Sequence, residues 1–243
     1  MQIAPPFGYS EVVPFLKTQK VRLLGAGEVP EFAQRGNAIP ISHSEFQAAA
    51  RDYPIVFTTG DGGKTFAAVA VLGVSAGENL FYEGAAWAQK SYVPAYARRY
   101  PFCMARIKVN QAERKDRLIC VEKARLDDAG EAMFDAEGKP TEKWGTLERL
   151  LSEYEADLER GRDLCALLAD YGLLEPFTMQ ATPKGGAALQ VTGMHRVSEK
   201  KLEELNAAQL KNLLRRGAMA RIYMHLLSLQ NFARLVERRA ARA

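Results

Sequence analysis

The chain has 243 residues, 47% of them hydrophobic and 26% charged, with a formal net charge of +4 at pH 7. That length and apolar content suffice to bury a core without staples and exclude wholesale disorder. So mild a positive charge permits an anionic partner without requiring one.

Cys103, Cys120 and Cys165 are odd in number, far apart and without CxxC spacing. This excludes a dense disulfide framework, gives no metal signature, and points to reduced thiols in the cytoplasm. Met1-Gln-Ile-Ala-Pro-Pro-Phe-Gly8 lacks the basic and apolar regions of a signal peptide, and no run of apolar residues is long enough to span a membrane.

Residues 1–40, rich in Pro and Gly, read as an arm with one short strand near Thr18 to Leu24. Ser42 followed by Glu45 has the spacing of a capping box and predicts a short helix to Arg51, broken at Asp52-Tyr53-Pro54. Ile55 to Thr59 and Phe66 to Val74 are strand-like and flank a glycine-rich turn, Gly60-Asp-Gly-Gly-Lys64. Further strands are expected at Leu80 to Tyr82, Cys103 to Val109, Arg117 to Val121 and Ala132 to Phe134. From Trp144 to Tyr171, apolar residues at Leu147, Leu150, Leu151, Tyr154, Leu158, Leu164, Cys165 and Leu168 form a helical stripe, with Gly172 and Pro176 as its stop. A strand near Ala188 to Val197, a helix from Ala207 to Arg216, a break at Gly217 and one last helix from Met219 to about Arg239 complete the order. The fold class is α+β: a mostly antiparallel sheet from the N-terminal half packed with helices from the C-terminal half. It forms a single domain, with an arm at 1–40, a strand-rich part at 41–142 and a helical part at 143–243.

Several motifs fail on inspection. A phosphate-binding loop ending at Lys64-Thr65 needs glycine at position 58, which is Thr58, and must open a helix, whereas Phe66 begins a strand pattern. Gly25-Ala-Gly27 is followed by Pro30 where a dinucleotide fingerprint requires glycine. His43, His195 and His225 have no metal-ligand spacing, so neither a metal nor any other cofactor is expected. The arginines at 234, 238, 239 and 242 read as a solvated helix end in the absence of a nucleic-acid-binding fold, and no nucleic-acid partner is expected.

One segment stands out. Trp87, Tyr92, Tyr96 and Tyr100 lie beside Arg98 and Arg99, and aromatic faces with guanidinium forks suit a protein or peptide partner or a small planar or anionic ligand. The alternative is structural: Trp87, Tyr96 and Phe102 as core, with an arginine paired to a carboxylate such as Asp52. In the last helix Arg221, His225 and Ser228 form a polar row on an otherwise apolar element, making His225 the one candidate for proton transfer by residue type. No catalytic residue is otherwise identifiable.

Phrases in these segments resemble the bacterial SapC family: Tyr53-Pro-Ile-Val-Phe57, Ala70-Val-Leu-Gly-Val-Ser-Ala-Gly77, Tyr92-Val-Pro-Ala-Tyr-Ala-Arg-Arg-Tyr-Pro-Phe102, Phe134-Asp-Ala-Glu-Gly138, Thr192-Gly-Met-His-Arg-Val-Ser-Glu199 and Arg221-Ile-Tyr-Met-His-Leu-Leu-Ser-Leu229. They run in order over about residues 10–235. Around His195 and Arg196 the chain is more basic than the family pattern. The resemblance implies one continuous unit and an accessory part in a bacterial modification or uptake system. The family's label implies an association with surface layers, and the resemblance supplies no catalytic residues. Three readings are therefore carried forward: an accessory protein gripping a partner through Tyr92 to Phe102, an enzyme or enzyme subunit with a pocket of Tyr96, Arg98, Arg99 and His225, and a surface-layer-associated protein.

Overall fold

The computed structural model describes residues 3–109, 112–181 and 188–242, with residues 106–109 and 112–117 taken by their backbone alone. The strands are β1 (Val12–Pro14), β2 (Lys20–Val21), β3 (Ala38–Pro40), β4 (Ile55–Thr58), β5 (Ala67–Val71), β6 (Tyr82–Glu83), β7 (Ala86–Trp87), β8 (Phe102–Val109), β9 (Ala112–Glu122), β10 (Glu131–Ala132), β11 (Leu174–Ala181) and β12 (Leu189–Val197). The helices are α1 (Glu31–Arg35), α2 (Phe46–Ala49), α3 (Ala95–Arg98), α4 (Glu142–Asp170), α5 (Glu199–Glu203), α6 (Ala207–Arg215), α7 (Ala218–Ser228) and α8 (Asn231–Ala240).

The order β11-β12-β4-β5-β3 makes a five-stranded antiparallel sheet, and β1-β9-β8 a three-stranded one. The α+β class holds, with most strands in the first half and the helices mainly in the second. The larger sheet nevertheless takes two neighbouring strands from the second half. Strand β11 was not expected, because Pro176 reads as a stop; at the sheet edge its missing N–H is harmless.

Helix α4 begins as its sequence dictates. Thr141 accepts the Trp144 N–H through its side chain at 3.2 Å, and the apolar stripe then buries Trp144, Leu151, Tyr154, Leu164, Cys165 and Leu168. Its 29 residues span about 44 Å. The first turns sit in a small core with Val21, Phe102, Val121 and Met133, and the rest lies on the main core around Tyr53, Phe57, Ile55 and Leu72. Gly172 and Gly217 end α4 and α6 with φ of +64° and +68°, the left-handed conformation for which glycine is favoured.

The expected single last helix is two. Ser228 Oγ donates back to the His225 carbonyl at 2.6 Å and accepts the Ile55 N–H at 2.9 Å. Such back-bonding bends helices. Just past the break, Asn231 Nδ2 donates to the carbonyls of Ala50 and Tyr53. The new direction brings the C-terminal arginines onto the chain's own surface. Arg242 binds the carbonyls of Asn79, Leu80 and Tyr82, Arg238 stacks 4.4 Å from the Phe81 centroid, and Arg239 pairs with Glu78. These side chains therefore reach back onto the chain's own surface, while Arg234 and Arg242 remain exposed, so the basic end is solvated and also held to the body.

The glycine-rich turn is also resolved. Asp61 Oδ1 accepts the N–H groups of Lys64 and Thr65 at 3.0 and 2.8 Å, and Thr59 Oγ1 accepts that of Gly63 at 2.9 Å. A carboxylate of the chain itself fills the nest that a phosphate would need. Among the described residues, no helix is long and apolar enough to cross a membrane.

Candidate functional site

The aromatic and arginine segment is anchored from beneath. Trp87 is buried, and its Nε1–H donates to Tyr53 Oη at 3.0 Å; the Tyr53 hydroxyl in turn donates to the Tyr92 carbonyl. Asp52, expected as a partner for arginine, instead accepts the Tyr92 N–H at 2.9 Å. Glu45, 5% exposed, is the second anchor. Its Oε1 accepts the Tyr92 hydroxyl at 2.9 Å and the Ala95 N–H at 2.7 Å, while its Oε2 accepts the N–H and Oγ of Ser42, both at 2.8 Å. Four donors thus satisfy one buried carboxylate and fix the entry to α3. Burial pushes the Tyr92 hydroxyl up to about 12, and the charge of Glu45 adds to the effect.

Consecutive helical residues point about 100° apart, and α3 uses this to separate its arginines. Arg98 is exposed. Its guanidinium lies 5.7 Å from the Tyr92 centroid, donating through Nη2 to Tyr92 Oη at 3.2 Å and through Nε to the Val93 carbonyl at 3.0 Å. Arg99 is 2% exposed and turns inward, 4.2 Å from the Tyr96 centroid, 4.9 Å from Tyr154 and 5.7 Å from Tyr9, with Nη1 3.4 Å from Glu155 Oε1. Its Nε has no acceptor among the described residues, so ring faces and Glu155 hold it. Tyr96 is buried and donates to the Phe7 carbonyl at 2.6 Å. Tyr100 is half-buried beside Tyr9, at 5.3 Å between centroids, under Arg125.

Two clefts flank Arg98, which lines both. One of about 240 Å³ is apolar, formed by Leu23, Leu24, Val29, Val93, Ala97 and Leu147 with Tyr100. The other, of about 320 Å³, is polar, formed by Ser42, Tyr92, Leu150, Glu153, Asp157 and Arg160. Helix α4 walls both: Leu147, Leu150, Tyr154 and Asp157 recur at i, i+3, i+7 and i+10, a single face. From Leu147 to Arg160 that face runs about 20 Å.

The buried carboxylates in the second cleft are occupied by the chain's own donors, and Asp157 is poorly suited to moving protons. Burial pushes the Asp157 carboxyl up, but the hydrogen bonds from Ser42, Ser44 and Arg160 outweigh it and hold the group below the usual carboxylate range. Ser44 donates its N–H and Oγ to Asp157 Oδ2 at 2.6 and 2.7 Å, and Arg160 forks onto Oδ1 at 3.0 and 2.8 Å.

His225 lies elsewhere. It is fully buried between β12 and β4, with Nε2 accepting the Val197 N–H at 3.0 Å and Nδ1 2.7 Å from the Ile55 carbonyl. The expected pocket of Tyr96, Arg98, Arg99 and His225 is not assembled: of the four, only Arg98 lines the two clefts. Both ring nitrogens of His225 serve the backbone, which leaves none for a ligand. Among the described residues no group of three His, Cys, Asp or Glu side chains is placed to hold a metal.

Sequence reasoning missed Glu45, whose capping role concealed its reach to Tyr92, and Asp157. The signal for Asp157 was present, since an acid falls in register with the apolar stripe of α4.

No curated protein and no solved structure matches the chain. A family model described as SapC does match, over residues 20–235. That span includes both clefts and the anchors Glu45, Asp52, Tyr53 and Trp87, and the chain belongs to the SapC family.

Proposed function

We propose that this SapC-family chain is a non-catalytic accessory protein that grips an extended peptide segment of a partner along α4. The observation that carries the reading is the position of Arg98, exposed yet pre-oriented by Tyr92 and Val93, between an apolar and a polar cleft. At about 3.3 Å per extended residue, the 20 Å face accommodates roughly six residues. An apolar side chain fits the cleft of Leu23, Val29 and Leu147. A carbonyl or carboxylate reaches Arg98, and a donor group meets Glu153. Pre-orientation lowers the entropy lost on binding, as a recognition arginine requires. Three buried cysteines, none in a disulfide, support action in the reducing cytoplasm.

Peptide-library selection on the full-length protein, followed by anisotropy titration of the enriched peptides, tests this. Binders carrying an apolar residue beside an acidic one, weakened at least about tenfold by Arg98→Ala and by Leu147→Arg, are expected. Failure to enrich any sequence, or binders indifferent to both substitutions, would overturn the reading.

A further inference from the structure

Farther along α4, a larger cleft of about 490 Å³ opens against the β4–β5 turn. Its volume lies within the range of about 300–1,000 Å³ common to small-molecule sites. Phe66 just before β5 and Ala67 at its start, with Ala166 and Ala169 one turn apart on α4, give it an apolar lining. The space exists because the residues facing each other there are alanines; larger side chains would close the helix onto the strand. Ala67 and Ala166 are both exposed, so the cleft is reachable from solvent.

Two cations stand in the lining, one from each wall: Lys64 on the turn and Arg162 on the helix. The turn carrying Lys64 is pre-organised. Asp61 also accepts the hydroxyls of Thr59 and Thr65 at 2.8 and 2.6 Å, so its negative charge faces into the loop and the loop amides are occupied. An anion in this cleft must therefore be held by side chains. Arg162 pairs with Glu159 at 2.6 Å, with both side chains about half exposed, and a pair so solvated is weak enough to be exchanged for a ligand.

We propose that this cleft binds an amphiphilic anion, its carboxylate or phosphate head between Lys64 and Arg162 and its apolar body against Phe66 and the alanines. The site shares no lining residue with the groove at Arg98, so it stands or falls apart from the peptide reading.

Calorimetric titration of the full-length protein with monomeric decanoate, decyl phosphate, 1-decanol and inorganic phosphate tests it. One saturable site for both decyl anions is expected, with decanol and inorganic phosphate at least about tenfold weaker. The Lys64→Ala/Arg162→Ala pair, at exposed positions, should weaken the decyl anions about tenfold or more and leave decanol unchanged. Ala166→Trp, checked for an unchanged melting curve, should abolish binding by filling the cleft. No saturable binding of either anion, decanol binding as tightly as decanoate, or undiminished binding by Ala166→Trp would overturn the proposal. Comparing the two heads separates a carboxylate ligand from a phosphate one.

Discussion

His225 gives its Nδ1 proton to the carbonyl of Ile55 across 2.7 Å, because its Nε2 is already the acceptor for the Val197 N–H. Strands β12 and β4 pair at His195 and Phe57, so continuing that register would set Val197 opposite Ile55. There the imidazole stands in for the missing ladder bonds, one ring satisfying a donor on one strand and an acceptor on the other. The Ile55 N–H is completed by Ser228. Within the polar row on α7, His225 and Ser228 thus connect a late helix to the central sheet.

This connector predicts a pH dependence. Burial lowers the His225 pKa to about 4, against the opposing hydrogen bond to Ile55 and with help from Arg196, while the ring in the unfolded chain titrates near 6.5. Between those values the unfolded state binds more protons. Stability from this group is therefore complete above about pH 6.5 and is lost as pH falls toward 4, at up to about 1.4 kcal/mol per pH unit. Urea unfolding at pH 7 and pH 5 should show the loss. In His225→Ala the dependence should flatten and stability at pH 7 should fall by about 2–4 kcal/mol. An identical pH slope in the variant would remove the assignment.

Glu45 predicts an unusual intolerance of its own amide. All four groups donate to its carboxylate, and each oxygen accepts one backbone N–H, so Glu45→Gln sets an NH₂ against the N–H of Ser42 or of Ala95 and leaves that donor without an acceptor. Glu45→Gln should cost about 2–4 kcal/mol, close to the cost of Glu45→Ala, although it is isosteric. It should also loosen Tyr92, and with it the orientation of Arg98. Thermal unfolding read alongside peptide affinity checks both; a Gln variant of wild-type stability would contradict the geometry.

The elements legible in the sequence were those with strong local signals. The helical stripe between Trp144 and Tyr171, the breaks at Gly172 and Gly217 and the turn at Gly60 to Lys64 all stand where period and glycine placed them. The site was only half legible. Tyr92, Arg98 and Tyr100 do line clefts, yet Trp87, Tyr96 and Arg99 of the same segment are buried supports. Nothing local separates Arg98 from Arg99; the distinction comes from Tyr9 and Tyr154, which lie 90 residues before and 55 after Arg99 in the chain. The break after Ser228 was hidden for a similar reason, because its cause is a bond to Ile55 far upstream.

The cysteines give a third prediction. Cys103 and Cys120 face each other across β8 and β9, and Cys165 lies inside α4. Burial pushes their thiols up to about 12, 11 and 12. With almost no thiolate at neutral pH, the native protein should react with a disulfide reagent at least about a hundredfold slower than free cysteine, and denaturation should release three thiols together. Rapid labelling of any one in the native state would show that its burial is wrong.

The neighbouring arginines supply the sharpest contrast. Arg99 is enclosed by three tyrosine rings and paired with Glu155, so removing it strips a buried charge pair and its stacking together. Arg99→Ala should cost about 3–5 kcal/mol. Arg99→Lys keeps the charge but loses the planar fork that lets one group stack and pair at once, so it should recover only part of that. Arg98→Ala, one residue earlier on the exposed side of α3, should stay within about 0.5 kcal/mol of wild type while weakening selected peptides at least about tenfold. Chemical denaturation of the three variants, read beside peptide titration, decides between them. If Arg98→Ala destabilised the fold as much as Arg99→Ala, its loss of binding would follow from unfolding, and Arg98 would have no separate part in recognition.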